Sequence, residues 1–479
     1  MTLNLRYLLL LPIIFFFLPS FEFILPGTNK LLFVFSFVLI PILLLMFIIE
    51  PKKNISKFFD VIKNTPLKYY LIFITLIILN TLFKSLTGIE DLGFAIYSLL
   101  LLMLLGFFAF FIYLICLIGN YISYYKFLNF FILLFWINLV LGFIAYLGQL
   151  FDITFITNIF DFFANGRILA VTNGLSVDLG AANYIAFGLP RLDGLFEEPG
   201  FYAKFLLIFL PMVYVTGTSR YKIYENKVIN LLIKRTIIPF TLVSMLLTLS
   251  PIFFIYTIIF SILFYYKKVL LLLKKHIIII LFLFISFIII LNKVDLSETY
   301  FSRIINVLTE IHSFEDFILI EPSLATRIIC YVNSFVIFLQ HPFSGVGFNN
   351  LINFMKDQMI NSPLPLTPEL VTKLKFAIIS NSKMYYSKGF IYYMLAEQGI
   401  FIFGIFCYFY YKIMKNLNTI SKKYVELHNR DYEICHMLKG LLLSMSMLFI
   451  YDFTIANNSM YIILTLAIMY VYEKKKYKD

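Results

Sequence analysis

FLNFFILLFWINLVLGFIAYLG, residues 127–148, contains no Asp, Glu, Lys or Arg. As a helix rising about 1.5 Å per residue, a stretch of this length crosses the roughly 30 Å hydrocarbon core of a bilayer. The pattern recurs. Further apolar windows lie near 7–26, 31–49, 69–84, 93–118, 201–216, 236–250, 252–266, 276–292, 386–411, 438–455 and 458–472. They predict an all-α fold, a polytopic membrane helix bundle of about 12 transmembrane helices, with residues 1–479 forming a single integral membrane domain. The first window, Tyr7–Leu25, follows a lone Arg6 and carries no small-residue cleavage site, so it reads as a retained span.

Composition agrees. Hydrophobic residues make up 61% of the chain and charged residues 14%, and the mean hydropathy is +0.89. The net charge of +12 does not imply a nucleic-acid partner, because the lysines cluster between apolar spans. One set of alternate loops holds Lys52, Lys53, Lys57, Lys63 and Lys68, then Arg220, Lys222, Lys227, Lys234 and Arg235. It continues through Lys267, Lys268, Lys274 and Lys275 to Lys412, Lys415, Lys422, Lys423, Arg430 and Lys439, with Lys474, Lys475, Lys476 and Lys478 in the tail. The other set offers little beyond Lys30 and Lys84. The positive-inside rule makes the first set cytoplasmic, together with both termini. Two long polar stretches, 149–200 and 293–385, then face outward.

Arginines in those stretches run against the charge bias. Arg167 and Arg191 lie in the first, Arg303 and Arg327 in the second. An always-charged planar cation calls for an anionic partner, and a lipid-linked diphosphate fits. In the first stretch, Arg191-Leu-Asp-Gly-Leu-Phe-Glu-Glu-Pro199 runs straight into a span. Pro199 suits a first helical turn. Glu198, with Glu197 before it, sits at the helix mouth, where free N–H groups favour negative charge. Glu198 is either a charged helix cap or a general base, with Arg191 as an anion clamp.

In the second stretch, 325–340 predicts an amphipathic helix. Its apolar side is Ile328, Ile329, Val332, Phe335, Val336 and Leu339, with Thr326 as N-cap. Arg327 and His341 fall near one face but about 21 Å apart along the axis, so they share a target only if the chain folds back after Pro342. For His341 the plain alternative is a histidine bonding a loop carbonyl. The proline-rich Asn361–Pro368 reads as an exposed loop, a candidate lid. Glu397 and Asp452 are the clearest acids within spans. Their small number does not favour a proton-coupled transporter. The cysteines Cys116, Cys330, Cys407 and Cys435 lack paired spacing and read as apolar residues, so neither a disulfide framework nor a metal site is expected. There is no nucleotide-binding loop of the GxxxxGK[ST] or GxGxxG kind.

Three patches resemble a known family. Arg191-Leu-Asp-Gly-Leu-Phe-Glu-Glu-Pro before a span resembles a pattern of bacterial polysaccharide polymerases of the O-antigen (Wzy) type. Ala-Thr-Arg327, the apolar helix and His341-Pro-Phe-Ser-Gly-Val-Gly347 resemble the large outer loop shared by O-antigen polymerases and ligases. Tyr392-Tyr-Met-Leu-Ala-Glu397-Gln-Gly399-Ile resembles the span that closes that loop. Ligases carry a histidine shortly before that span. Here Asn381-Ser-Lys-Met-Tyr-Tyr-Ser-Lys388-Gly has none, which puts polymerase ahead.

The resemblance implies a glycosyltransferase in the bacterial inner membrane that joins undecaprenyl-diphosphate-linked oligosaccharides without cofactor or metal. It also implies a chain-length regulator as partner. The assignment it implies gives Arg191 and Arg327 to the diphosphate, with Arg167, Arg303 and Lys388 in support. Glu198 is the base, with Glu197 and His341 in reserve. A ligase acting on lipid A core and a flippase for the lipid-linked glycan are the alternatives.

Overall fold

The computed structural model describes residues 51–88, 92–101, 123–151, 153–156, 185–186, 189–190, 192, 199–218, 227–248, 312–320, 322–348, 350–362, 364–379, 389–424, 430–451 and 458–476. Helices dominate these residues. They are α1 (Pro51–Asn64), α2 (Leu67–Leu86), α3 (Leu92–Leu101), α4 (Tyr124–Leu150), α5 (Pro199–Thr218) and α6 (Lys227–Leu247). They continue as α7 (Phe314–Ile320), α8 (Pro322–Gln340), α9 (Leu351–Ile360), α10 (Pro368–Ile379), α11 (Phe390–Tyr424), α12 (Arg430–Tyr451) and α13 (Asn458–Lys476). One short antiparallel pair, β1 (Ile185–Ala186) with β2 (Leu189–Pro190), matches Ile185 with Pro190 and Ala186 with Leu189. Nothing in the alternation of residues 149–200 signals it.

Four helices among the described residues are long and apolar enough to cross a membrane: Leu67–Leu86, Tyr124–Leu150, Lys227–Leu247 and Phe390–Lys423. That is the physical signature of a membrane protein. The windows near 7–26, 31–49, 252–266 and 276–292 lie outside the described residues.

Contacts divide the chain into two compact units. The first comprises Met1–Phe253, Phe401–Leu448 and Thr454–Asp479. Phenylalanine fills its core. Phe135 stacks on Phe205, Phe131 meets Phe209 edge-on, and Phe143 lies over Phe240 at 13°. Inside this apolar packing the indole N–H of Trp136 donates to Thr236 Oγ1 at 2.8 Å, so the polar atom of the large ring is satisfied. α2 packs against α11 through Tyr69–Tyr408, Tyr70–Phe409 and Phe73–Phe406.

Three helices clearly outrun their predicted spans, among them α12, which begins at Arg430 rather than near 438. α6 begins at Lys227 and takes in Lys234 and Arg235, which the sequence places in a loop. α11 runs on through Lys412, Lys415, Lys422 and Lys423. The reason is a stripe that does not stop where the charges begin: Phe406, Phe409, Ile413 and Leu417 are all buried, at helical spacing. Lysine is a good helix former and its stem can lie along the surface, so the charges do not end the helix.

The N-terminal turn of α12, the lysine-rich end of α13 and α1 are tied by polar side chains. Asp431 pairs with Lys474 at 2.7 Å and accepts from the Tyr125 hydroxyl at 3.2 Å. The Tyr470 hydroxyl donates to the Asp431 carbonyl at 2.7 Å, and that of Tyr472 to Asp60 Oδ2 at 2.7 Å. Asp431 is thus the hub. Asp431→Ala is expected to cost about 1–3 kcal/mol, since it strands a half-buried cation and a phenol. A lowered Tm of the detergent-solubilised full chain checks this, with Asp357→Ala, at an exposed site, as the near-neutral control.

Candidate functional site

The second unit comprises Phe254–Ile400 and Phe449–Phe453. Its frame is the α8–α9–α10 array. The sequence predicts that α8 begins near 325 with Thr326 as its cap. It begins at Pro322 instead, and Thr326 lies inside it. There the Thr326 hydroxyl sits 2.7 Å from that of Thr367, both buried. The buried stripe also differs from the expected one. Ala325, Thr326, Ile329, Cys330, Asn333, Ser334, Ile337 and Phe338 face inward, while Phe335 and Leu339 are 43% and 59% exposed. Only Ile329 of the predicted apolar side is fully buried. In a membrane chain, lipid is as apolar as a protein core, so hydrophobicity does not set a helix's rotation; polar partners do. Asn333 supplies them, donating to the Ile329 carbonyl at 2.8 Å and to Ser362 Oγ at 3.3 Å.

The chain does fold back after Pro342. α9 returns along α8, passing from His341, whose ring meets Phe354 edge-on at 5.5 Å, to Asn333 beside Met359 and Ser362. The segment 361–367 then reaches Thr326. Ser362 and Thr367 tie this segment to α8, while Asn361, Pro365 and Pro368 are exposed, in keeping with its reading as an exposed loop. Thr367 also starts α10, accepting from the Leu370 amide at 3.4 Å.

The decisive feature is a break in α11. Gly399 has φ 71° and ψ 177°, far from helical values. The break falls inside the apolar window 386–411 and within a helix long and apolar enough to cross a membrane. The break frees the Ala396 and Glu397 carbonyls and the Ile400 amide from the helix ladder. A freed backbone group in an apolar setting must find a partner. The turn 342–347 provides all three. The Val346 amide donates to the Ala396 carbonyl at 3.0 Å and that of Gly347 to the Glu397 carbonyl at 2.9 Å, while the Ile400 amide donates to the Pro342 carbonyl at 2.9 Å.

Two glycines make the approach possible. A Cβ on Gly345 (φ 62°) would overlap the Glu397 backbone, and one on Gly399 would overlap the Phe343 carbonyl. Glu397 adds its side chain. Fully buried, its Oε1 accepts from the Leu351 amide at 3.4 Å, at the first turn of α9. A carboxylate there also meets the positive end of the helix dipole. The acid singled out within a span therefore caps a neighbouring helix.

The remaining candidates divide clearly. Arg327 is half-buried on α8, one turn before Tyr331, which stacks on Tyr392 at 4.6 Å and 13°. His341 lies at the far end of α8; its carbonyl accepts from the Gly345 amide at 2.9 Å. Arg327 and His341 thus remain about 21 Å apart along the helix and do not meet. Arg167, Arg191, Glu197, Glu198, Arg303 and Lys388 lie outside the described residues, as does Asp452. Beside Arg191, the amide of buried Leu192 donates to the Leu247 carbonyl at 2.9 Å, at the end of α6. Pro199 opens α5, as its chemistry predicts. The sequence reading does not identify the polar role of Asn333. Its position among apolar neighbours, four residues after Ile329, is the available signal.

No protein-family model matches the chain, and no curated protein matches it.

Gly345→Ala and Gly399→Ala are each expected to open the clamp, since the left-handed backbone alone costs about 1–2 kcal/mol before the overlap is counted. Limited proteolysis should then cut within 340–400. Gly404→Ala, whose Cβ would meet nothing within 4 Å, should leave the digestion pattern unchanged.

Proposed function

We propose that the chain is a membrane glycosyltransferase of the polysaccharide-polymerase kind. In this reading it moves a growing glycan from undecaprenyl diphosphate onto a sugar hydroxyl of the next lipid-linked repeat unit, at the outer face of the bacterial inner membrane. The observation that carries the reading is the clamp. His341–Gly347 and Ala396–Ile400 belong to the two patches, 325–347 and 392–400, that resemble the polymerase outer loop and its closing span. They are separated in sequence by all of α9 and α10, yet they pair group by group. The half-buried Arg327 on the helix leading into the clamp, in a chain with membrane-crossing helices, adds support.

The chemistry follows from the donor. The acceptor hydroxyl oxygen attacks the anomeric carbon, the carbon–oxygen bond to the diphosphate breaks, and its electron pair leaves with the diphosphate. The hydroxyl proton passes to a carboxylate, for which Glu198 is the candidate. Arg191 and Arg327, with Arg167, Arg303 and Lys388 in support, offset the charge that develops on the leaving group. The ring of His341 rests on Phe354, at the opposite end of α8 from Arg327. In this reading Glu198, with Glu197 behind it, is the base.

Reconstitution of the purified full chain with a lipid-linked repeat unit tests the reading, with elongation followed on a gel. Wild type should lengthen the glycan unaided. Arg327→Lys should lower the rate about a hundredfold by losing the planar fork, and Glu198→Gln at least as much. Absence of elongation by wild type, with transfer to lipid A core instead, would mark a ligase. Full elongation by Arg327→Lys would remove the arginine from diphosphate recognition.

A further inference from the structure

α1 has 14 residues, PKKNISKFFDVIKN. Its four lysines against one aspartate make this stretch too charged to cross a bilayer. It is joined to a helix that is long and apolar enough to cross. The Thr65 hydroxyl donates to the Val61 carbonyl at 2.7 Å and accepts from the Leu67 amide at 3.2 Å, so α1 turns directly into α2. α1 therefore lies where α2 meets the membrane surface.

Its two faces differ. On the inner one, Val61 is fully buried; at its flank Asp60 accepts from the Tyr472 hydroxyl at 2.7 Å and the Asn64 carbonyl accepts from Lys475 at 3.0 Å. These ties hold the helix against its own unit and engage its single acid. On the outer face, Ser56, Phe59 and Lys63 are exposed, within an arc of about 60° at 100° per residue. Phe59 is 63% exposed. Lys52 and Lys53 stand in the first turn.

We propose that α1 is an interfacial helix that binds anionic phospholipid headgroups of the bilayer and buries Phe59 at the acyl boundary. The charge carries the choice of occupant. The one aspartate is engaged on both oxygens, by Tyr472 and by Asn64, so the helix presents an aromatic ring and lysine to its surroundings. Anionic lipid complements both: the ring enters the acyl boundary while the long lysine stems keep their charges at headgroup level. A zwitterionic surface would complement only the ring. This inference is independent of the catalytic reading.

The test uses the full chain in nanodiscs of phosphatidylcholine, with and without phosphatidylglycerol. Phe59→Trp adds a second indole, whose emission is obtained by subtracting the signal of wild type, which has the single Trp136. Emission of the introduced indole should be blue-shifted and quenched by lipids brominated on their acyl chains. Native mass spectrometry should show retained phosphatidylglycerol in preference to phosphatidylcholine, with the preference falling about fivefold in Lys63→Gln. A water-exposed, unquenched indole in Phe59→Trp would overturn the proposal. So would a lipid preference unchanged in Lys52→Gln/Lys53→Gln/Lys63→Gln. Shielding of the introduced indole without bromolipid quenching would mean that protein covers the face, and would overturn it as well.

Discussion

The second unit depends on how one interrupted helix satisfies its backbone. When α11 breaks at Gly399, two carbonyls and one amide lose their partners in the ladder. In water such groups would be hydrated at little cost. In an apolar setting each would cost several kcal/mol. The turn 342–347 replaces the missing helical partners with its own amides and carbonyl. Glycine is required on both sides, because each backbone occupies the space that the other's Cβ would need. The end of α8, the start of α9 and the break in α11 are thereby fixed at one point. The Glu397 side chain reinforces that point by capping α9.

The first unit is held differently. Its helices are continuous, and stacked phenylalanines fill the space between them. Specific polar ties collect at the lysine-rich end, around Asp431 and Asp60. Phenylalanine packing fills volume without specifying register closely. The tyrosine, lysine and aspartate links add direction, because each hydrogen bond accepts only a narrow geometry. The same links orient α1, so a device that locks the unit also determines which face of that helix is left outward.

Much of this was legible in the residues. Apolar windows marked the described helices α2, α4 and α5 closely, because length and hydrophobicity are local properties. The extension of α11 past Lys412, where the lysines were read as a loop, had a signal in the stripe Phe406, Phe409, Ile413 and Leu417. The rotation of α8 was not. Its apolar residues encircle much of the helix, and Asn333 faces inward only because Ser362 and Met359 wait there. The role of Glu397 was equally hidden. An acid within an apolar run signals importance, but whether it moves a proton, meets a substrate or caps a helix depends on what lies opposite. Of the residues assigned to catalysis or substrate binding, only Arg327 and His341 lie among the described residues. These two, grouped by their spacing of fourteen, are held apart by the rigidity of the helix that bears them.

By itself the sequence determined the all-helical membrane class, the positions of several spans and the family resemblance of two distant patches. These follow from composition and short-range spacing, which the chain carries wherever it folds. Tertiary structure decided that the two patches form one clamp, that Gly399 breaks a helix within a span, and that Ser362 and Thr367 tie the 361–367 loop to α8. Each outcome depends on a pairing between residues remote in sequence. Local physics can say that a backbone group needs a partner; only the fold supplies which one.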